Sequence, residues 1–328
     1  MILLSKEDIS KVFTMKEAIE ADKEAFELAA KDACNIPLRT NIQAPGYDGC
    51  FLFMPAYVEN MDMAALKMVN IFPHNRDKGI PVTSAQIILI DGKTGVTAAV
   101  LDGTYVTQLR TGAASGVAFD ILAKKDCVIG ALIGTGGQAE TQLEAMLVSR
   151  SLEQVKVYDL DFDRTNEFAL RMQKKFQFYN AEIIAVKSSD EAIHEADLII
   201  TATTSAVPVF DGNKIKKGAT VSCVGAYQPH MQEMDPVVLQ RAAKIYFDSM
   251  DAVLSESGDI IIPLSQGIIS KESFTGNIGD VITGQLSGRE NDEEILVFET
   301  VGIAIQDLIT ARSIYEKAKT MGVGLEWG

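Results

Sequence analysis

The chain has 328 residues, and 30 lysines and arginines against 45 aspartates and glutamates give it a formal net charge of −15. Hydrophobic residues at 47 % and charged residues at 23 % are an ordinary globular mix, which excludes disordered and fibrous architectures, and the length suggests two domains. The negative surplus repels phosphate backbones and acidic lipid faces, so it argues against nucleic-acid and membrane partners. A small anionic substrate stays open, because a local basic cluster can override the global field.

The opening MILLSKEDISKVF meets charge too early for a signal peptide. No apolar run approaches the ~18 residues of a membrane span. Residues 1–35 carry helical periodicity through Val12, Ala18, Ile19, Ala25, Phe26 and Leu28, and the capping box Thr14-Met-Lys-Glu17 predicts a helix from Met15. Residues 36–101 read as strands: FLFMPAYV, ALKMVNIF, SAQIILID and VTAAVLD, the last two around the turn Gly92–Gly95. That pattern predicts a mostly antiparallel sheet. Three basic residues stand beside these strands in apolar surroundings: Arg39 after Ile36-Pro-Leu, Lys67 inside ALKMVN, and Arg110 at the start of the helical RTGAASGVAFDIL. Cations from three segments could converge on one carboxylate. On spacing alone, three separate surface cations remain the competing reading.

From Asp126 onward, apolar strands alternate with helices. VIGALIG leads to the helical QAETQLEAMLVSR, then VKVYD, a helix through Phe168 and Met172, AEIIAV, a helix near Asp190–Glu195, DLIITAT, ATVSCVGA and KIYFD. Strands that are apolar throughout predict a parallel sheet covered on both faces. Asn291–Met321 reads as helical again, through Leu296, Ala304, Ile305, Leu308 and Ile309. The predicted fold class is α/β: a Rossmann-type dinucleotide-binding domain over 119–305, and a mixed α/β domain built from both chain ends, 1–118 with 306–328.

Gly134-Thr135-Gly136-Gly137-Gln138-Ala139 is a G-x-G-x-x-A turn between strand and helix. Small residues there permit the tight turn, the approach of a pyrophosphate and close helix–strand packing, while the helix N-terminus faces the phosphates. Asp159 ends the next strand about 20 residues on, where an acid accepts from the ribose hydroxyls. Its charge, with Asp161 and Asp163 nearby, favours NAD over NADP, and Arg164 softens that preference. Cys34, Cys50, Cys127 and Cys223 lack metal-ligand spacing and read as reduced thiols in a cytoplasmic protein. His74, His194 and His230 are too scattered for a histidine metal site, so no metal is expected.

Taken together, IPLRT, FMPAY, LKMVNIFPHN with KGIPV, LDGTYVTQLRTGAASG, IGTGGQA, TVSCVGAYQPHMQEMD, IGDVITGQLSGREND and FETVGIAIQDL span nearly the whole chain. In these the sequence resembles the ornithine cyclodeaminase/mu-crystallin family, which includes alanine dehydrogenases and cyclic-imine reductases. The resemblance implies that Arg39, Lys67 and Arg110 grip a substrate carboxylate, with Lys67 reaching the reacting carbon's oxygen or nitrogen. It implies that Asp235 faces the substrate nitrogen in proton transfer, that Thr111 lies near the cofactor phosphates, and that Thr201-Ala202-Thr203 and Val224-Gly225-Ala226 border the dinucleotide. Ornithine cyclodeaminases carry a glutamate two positions before the Met-Pro pair. Here Leu52 precedes Met54 instead, an apolar wall that leaves a distal ammonium unpaired. The implied activity is NAD-dependent hydride transfer at the α-carbon of a small L-amino or imino acid. Ornithine cyclodeamination with recycled NAD and a non-enzymatic, crystallin-like binding role are the alternatives. The family's usual association implies a homodimer through the first domain.

Overall fold

The computed structural model describes residues 1–328 and divides them into two compact units, Met1–Arg110 with Ile303–Gly328, and Thr111–Gly302. The chain opens with β1 (Ile2–Leu4), α1 (Lys6–Val12) and α2 (Met15–Ala30), followed by β2 (Thr40–Ala44), β3 (Gly49–Val58), β4 (Met63–Ile71), β5 (Thr83–Asp91) and β6 (Thr97–Asp102). Then come α3 (Gly103–Leu122), β7 (Ile129–Ile133), α4 (Ala139–Ser149), β8 (Gln154–Tyr158), α5 (Phe162–Lys175), β9 (Glu182–Ala185), α6 (Ser189–Ile193), β10 (Leu198–Thr201) and β11 (Thr220–Cys223). The remainder is α7 (Pro236–Arg241), β12 (Lys244–Phe247), α8 (Met250–Glu256), α9 (Gly258–Ser265), β13 (Gly276–Asn277), α10 (Ile278–Ile282), β14 (Leu296–Glu299), α11 (Ala304–Met321) and β15 (Leu325–Glu326).

The first unit is a seven-stranded sheet in the order β15-β1-β6-β5-β4-β3-β2. Strands β2 to β6 follow one another antiparallel, as the hairpin pattern predicts, while β1 runs parallel to β6. The period-two alternation of β3 buries Leu52, Met54 and Ala56 on one face. Helix α11 packs across β3, β4 and β5 on one side and against α2 on the other. The capping box at α2 is formed: Thr14 N–H donates to Glu17 Oε2 at 2.9 Å, and Glu17 N–H donates back to Thr14 Oγ1 at 3.3 Å.

The second unit is an eight-stranded, all-parallel sheet in the order β13-β12-β14-β11-β10-β7-β8-β9. Its strand order reverses beside β7, so the carboxyl ends of β7 and β10 bound the crevice where such sheets take ligands. This is the predicted Rossmann-type arrangement.

Two local expectations are corrected. Helix α3 begins at Gly103, so Arg110 sits mid-helix rather than at its start. Asp102 Oδ1 accepts from Tyr105 N–H at 2.9 Å and caps the helix directly out of β6, leaving no loop for the eye to find. A Cβ at Gly103 would stand 2.8 Å from the Gln86 backbone, which explains a glycine where the strand turns straight into a helix. The two compact units divide at Arg110/Thr111 and Gly302/Ile303, and the first of these points falls inside that continuous helix. Finally, the stretch from Asn291 is not one helix: Leu296 lies in β14, paired with Thr220 and Lys244, and the helix starts only at Ala304.

Candidate active site

In the first unit, Lys67 stands mid-β4 with its Cα opposite Met54 of β3 and Ile87 of β5. Directly opposed residues share a sheet face, and Leu52, opposite Val69, extends the same face. Lys67 is only 1 % exposed. Its Nζ lies 2.6 Å from Asp307 Oδ2, and Arg110 Nε donates to the other oxygen, Asp307 Oδ1, at 3.2 Å. Arg110 and Asp307 are themselves buried. Arg110 meets Asp307 through Nε, and a guanidinium has two further nitrogens with which it can take a carboxylate.

Burial, then the charge of Arg110, pushes the Lys67 ammonium down to about 7; Asp307 opposes that fall and Arg39 adds to it. Arg39 and Arg110 therefore both act electrostatically on Lys67, and Lys67 and Arg110 share one aspartate. Leu52 and Met54 supply an apolar flank on the Lys67 face, both buried.

In the second unit, β7 runs into Gly134 at φ +105°, a conformation that favours glycine. A Cβ there would lie 2.7 Å from the Ala202 carbonyl oxygen. At Gly136 the opposite holds: it is exposed, and no atom comes within 4 Å of where a Cβ would be. The N–H groups of Gly136, Gly137 and Gln138 have no partner within the protein and stand at the start of α4, whose first residue, Ala139, is fully buried. An open cradle of free N–H groups at a helix N-terminus fits the pyrophosphate of a dinucleotide. Asp159 accepts from Thr135 N–H at 2.8 Å and Thr135 Oγ1 at 2.6 Å, and Arg164 Nη2 lies 3.3 Å away. Burial alone would raise its carboxyl; the Thr135 bonds and Arg164 outweigh that and hold it below its ordinary value.

The residues expected to border the dinucleotide lie just past β10 and β11. Ala202 N–H donates to Ile133 at 2.9 Å and Val224 N–H to Thr201 at 3.1 Å. A Cβ on Gly225 would meet Thr203 O at 1.9 Å, so the two strand ends approach closely at the backbone. Thr111 is buried on α3, and its carbonyl accepts from Gln142 Nε2 of α4 at 2.9 Å.

Asp235, expected in proton transfer, is placed by the structure at a helix start. It is the N-cap of α7: Oδ1 accepts from Val237 N–H at 3.0 Å and Oδ2 from Gly212 N–H at 3.0 Å. Each oxygen accepts one backbone N–H, which accounts for an aspartate before Pro236 as a helix cap.

Two acids that the sequence reading passed over matter more. Asp307, in FETVGIAIQDL, lies between Lys67 and Arg110; its signal was a charged residue inside the apolar stripe of α11. Glu233, in MQEMD, accepts from Thr203 N–H at 2.5 Å and Gly225 N–H at 2.6 Å, stapling the ends of β10 and β11. Asp259 in turn accepts from Glu233 N–H at 2.7 Å and Met234 N–H at 2.8 Å. Glu299 accepts from Ser257 Oγ at 2.7 Å, and one oxygen each of Asp259 and Glu299 is buried without a hydrogen-bond partner. Burial and mutual repulsion push Glu233 up to about 8 and Glu299 well above its ordinary value; burial pushes Asp259 up to about 7.

Residues 1–322 match the model of the ornithine cyclodeaminase/mu-crystallin family. A Delta(1)-pyrroline-2-carboxylate reductase of Bacillus cereus is 35 % identical over 324 residues, covering 99 % of this chain and 98 % of that one. The structure of Thermococcus litoralis Delta(1)-pyrroline-2-carboxylate reductase in complex with NADH and L-proline superposes with a TM-score of 0.95 at 41 % identity, covering 100 % of both chains. An archaeal alanine dehydrogenase dimer with bound NAD gives a TM-score of 0.91 at 35 % identity, covering 100 % of this chain and 99 % of that one.

Proposed function

The chain belongs to the ornithine cyclodeaminase/mu-crystallin family, and on that premise we propose that it is an NAD(H)-dependent reductase of a small cyclic imino acid, of the Delta(1)-pyrroline-2-carboxylate type. The observation that carries this reading is the Lys67 site: a buried amine that titrates near neutrality, beside arginines suited to one carboxylate, with Leu52 and Met54 in place of any distal acid. The relatives' substrates agree, since one is a reductase with NADH and L-proline bound and another an alanine dehydrogenase with NAD.

The arginines Arg39 and Arg110 bind the substrate carboxylate and orient its α-carbon. When bound, the dinucleotide supplies the hydride that forms the new C–H bond. As the C=N π bond opens, Lys67 passes its proton to the nitrogen, and water reprotonates the amine. An amine near pH 7 suits both directions, giving the proton in reduction and taking it in oxidation. Gly136, Gly137 and Gln138 would hold the pyrophosphate, Asp159 the adenosine ribose, and the loops after β10 and β11 the rest of the dinucleotide. Asp159 favours NAD, although Arg164 is placed to tolerate a 2′-phosphate.

A homodimer fits the first unit. Strand β2 is an edge strand, exposed along Thr40–Gln43, and Leu38, Ile42, Phe51 and Tyr57 leave apolar side chains in solvent beside it. The archaeal alanine dehydrogenase dimer supports a second copy there. Four free cysteines agree with a reducing, cytoplasmic setting, and no helix is long and apolar enough to cross a membrane.

The deciding experiment follows NADH absorbance with cyclic ketimines, 2-oxo acids plus ammonia, L-amino acids and L-ornithine. Net NADH oxidation with a cyclic ketimine supports the proposal. Turnover only with pyruvate and ammonia makes the chain an alanine dehydrogenase. Ornithine consumed without net NADH makes it a cyclodeaminase, and ligand binding without turnover makes it a binding protein.

A further inference from the structure

We propose that Asp307 is the positioning residue of this site: through its two carboxylate oxygens it holds Lys67 and Arg110 apart at fixed places and keeps the transferable proton on Lys67 while substrate is bound. This rests on the reading of Lys67 as the group that exchanges the proton with the substrate nitrogen.

The geometry is specific. One oxygen faces Lys67 Nζ at 2.6 Å and the other accepts from Arg110 Nε at 3.2 Å, with both Lys67 and Asp307 1 % exposed. Its two oxygens are thus divided between the proton donor and the carboxylate binder. Asp307 lies in the first turn of α11, where free N–H groups favour negative charge. Its neighbour Gln306 donates to Asp22 of α2 at 2.8 Å, which fixes the start of α11 against the adjacent helix. A short side chain on an anchored helix end has little freedom to follow substrate, so it can act as a fixed reference for both cations.

The electrostatics need this acid. Arg110 from α3 and Arg39 from the segment before β2 both favour a neutral Lys67, as does burial beneath α11; Asp307 opposes them. These three are the leading charged groups acting on Lys67. A substrate carboxylate entering between Arg39 and Arg110 would further favour the protonated amine. Asp307 therefore decides whether Lys67 carries a proton before substrate arrives.

The test is the pH profile of kcat/KM in both directions for wild type, Asp307→Asn and Asp307→Glu, with NADH binding as the control for folding. Removing the carboxylate charge lowers the proton affinity of Lys67. In Asp307→Asn the alkaline limb of imine reduction and the acidic limb of amino-acid oxidation should both move to lower pH, by about one pH unit or more. Reduction at pH 8 then falls roughly tenfold, while oxidation at pH 6 rises relative to pH 8. Asp307→Glu keeps the charge on a longer arm and should show limbs displaced less. A general loss of structure would lower both rates without moving either limb, so coincident limbs in folded Asp307→Asn overturn the proposal. If the asparagine variant does not fold, the glutamate variant reads the same quantity: displaced limbs support the assignment, and limbs coincident with wild type overturn it. No turnover by wild type in either direction would instead refute the reductase reading itself.

Discussion

Burying Lys67 strips an ammonium of water, a penalty of several kcal/mol that ion pairing returns only in part. A residue carried at that cost must be used, and Lys67→Ala should abolish turnover while NADH still binds, measured by kcat alongside fluorescence quenching. Asp235 makes the opposite prediction. Because both its oxygens cap backbone, Asp235→Ala should cost about 1 kcal/mol of stability and leave kcat nearly unchanged, while Asp235→Asn, a competent cap, should alter neither. A large loss of kcat in folded Asp235→Asn would return the aspartate to the chemistry. Both residues sit in equally suggestive sequence motifs. An acid beside a proline reads the same whether it caps a helix or serves a substrate, and only its hydrogen-bond partners separate the two. Asp307 was hidden for the converse reason, since helical periodicity marks α11 as a packing element and says nothing of a lone charge facing inward.

At the level of elements, the strand–glycine–helix turn was legible because each small residue answers a local steric demand. The structure assigns those demands differently along the turn. At Gly134 a side chain meets the Ala202 backbone in a left-handed conformation, so Gly134→Ala should cost about 1–3 kcal/mol and lower Tm. At Gly136 there is open space, so Gly136→Ala should leave Tm unchanged and weaken NADH binding instead, which calorimetry and thermal melts on the same two variants would separate. The start of α3 was not legible, because Asp102 both ends β6 and caps the helix, and the usual loop between them is missing. The strand β14 was obscured in the same way: a four-residue buried strand directly before a long helix shares its apolar character, and periodicity needs more residues than that to declare itself.

For the whole molecule, the acid chain Glu233–Asp259–Glu299 links pH to stability. Each group binds its proton more tightly folded than unfolded, so the folded state holds more protons and stability falls as pH rises from the unfolded values, near 4, through the folded ones, about 7 for Asp259 and about 8 for Glu233. Lys67, with its proton affinity lowered, opposes this only above about pH 7. Tm should therefore decline between pH 5 and pH 7, by roughly 2–4 °C for each kcal/mol lost, and Glu299→Gln should flatten that slope. An unchanged slope in Glu299→Gln would show that Glu299 does not take part. The staple matters for function, since Glu233 ties together the loops after β10 and β11 that are proposed to border the dinucleotide.

The parallel sheet was legible in outline because apolar strands begin to alternate with helices near Asp126, and the first compact unit draws on both chain ends. That arrangement sets an order of events at the ribosome. Arg110 and Asp307 are 197 residues apart, so at 5–20 residues per second Lys67 and Arg110 emerge roughly 10–40 s before their counter-charge is made. Throughout that interval Lys67 stands without this counter-charge on the face of the first sheet that α11 will cover, while the whole central unit is being synthesised. The Lys67 face is completed only when α11 arrives.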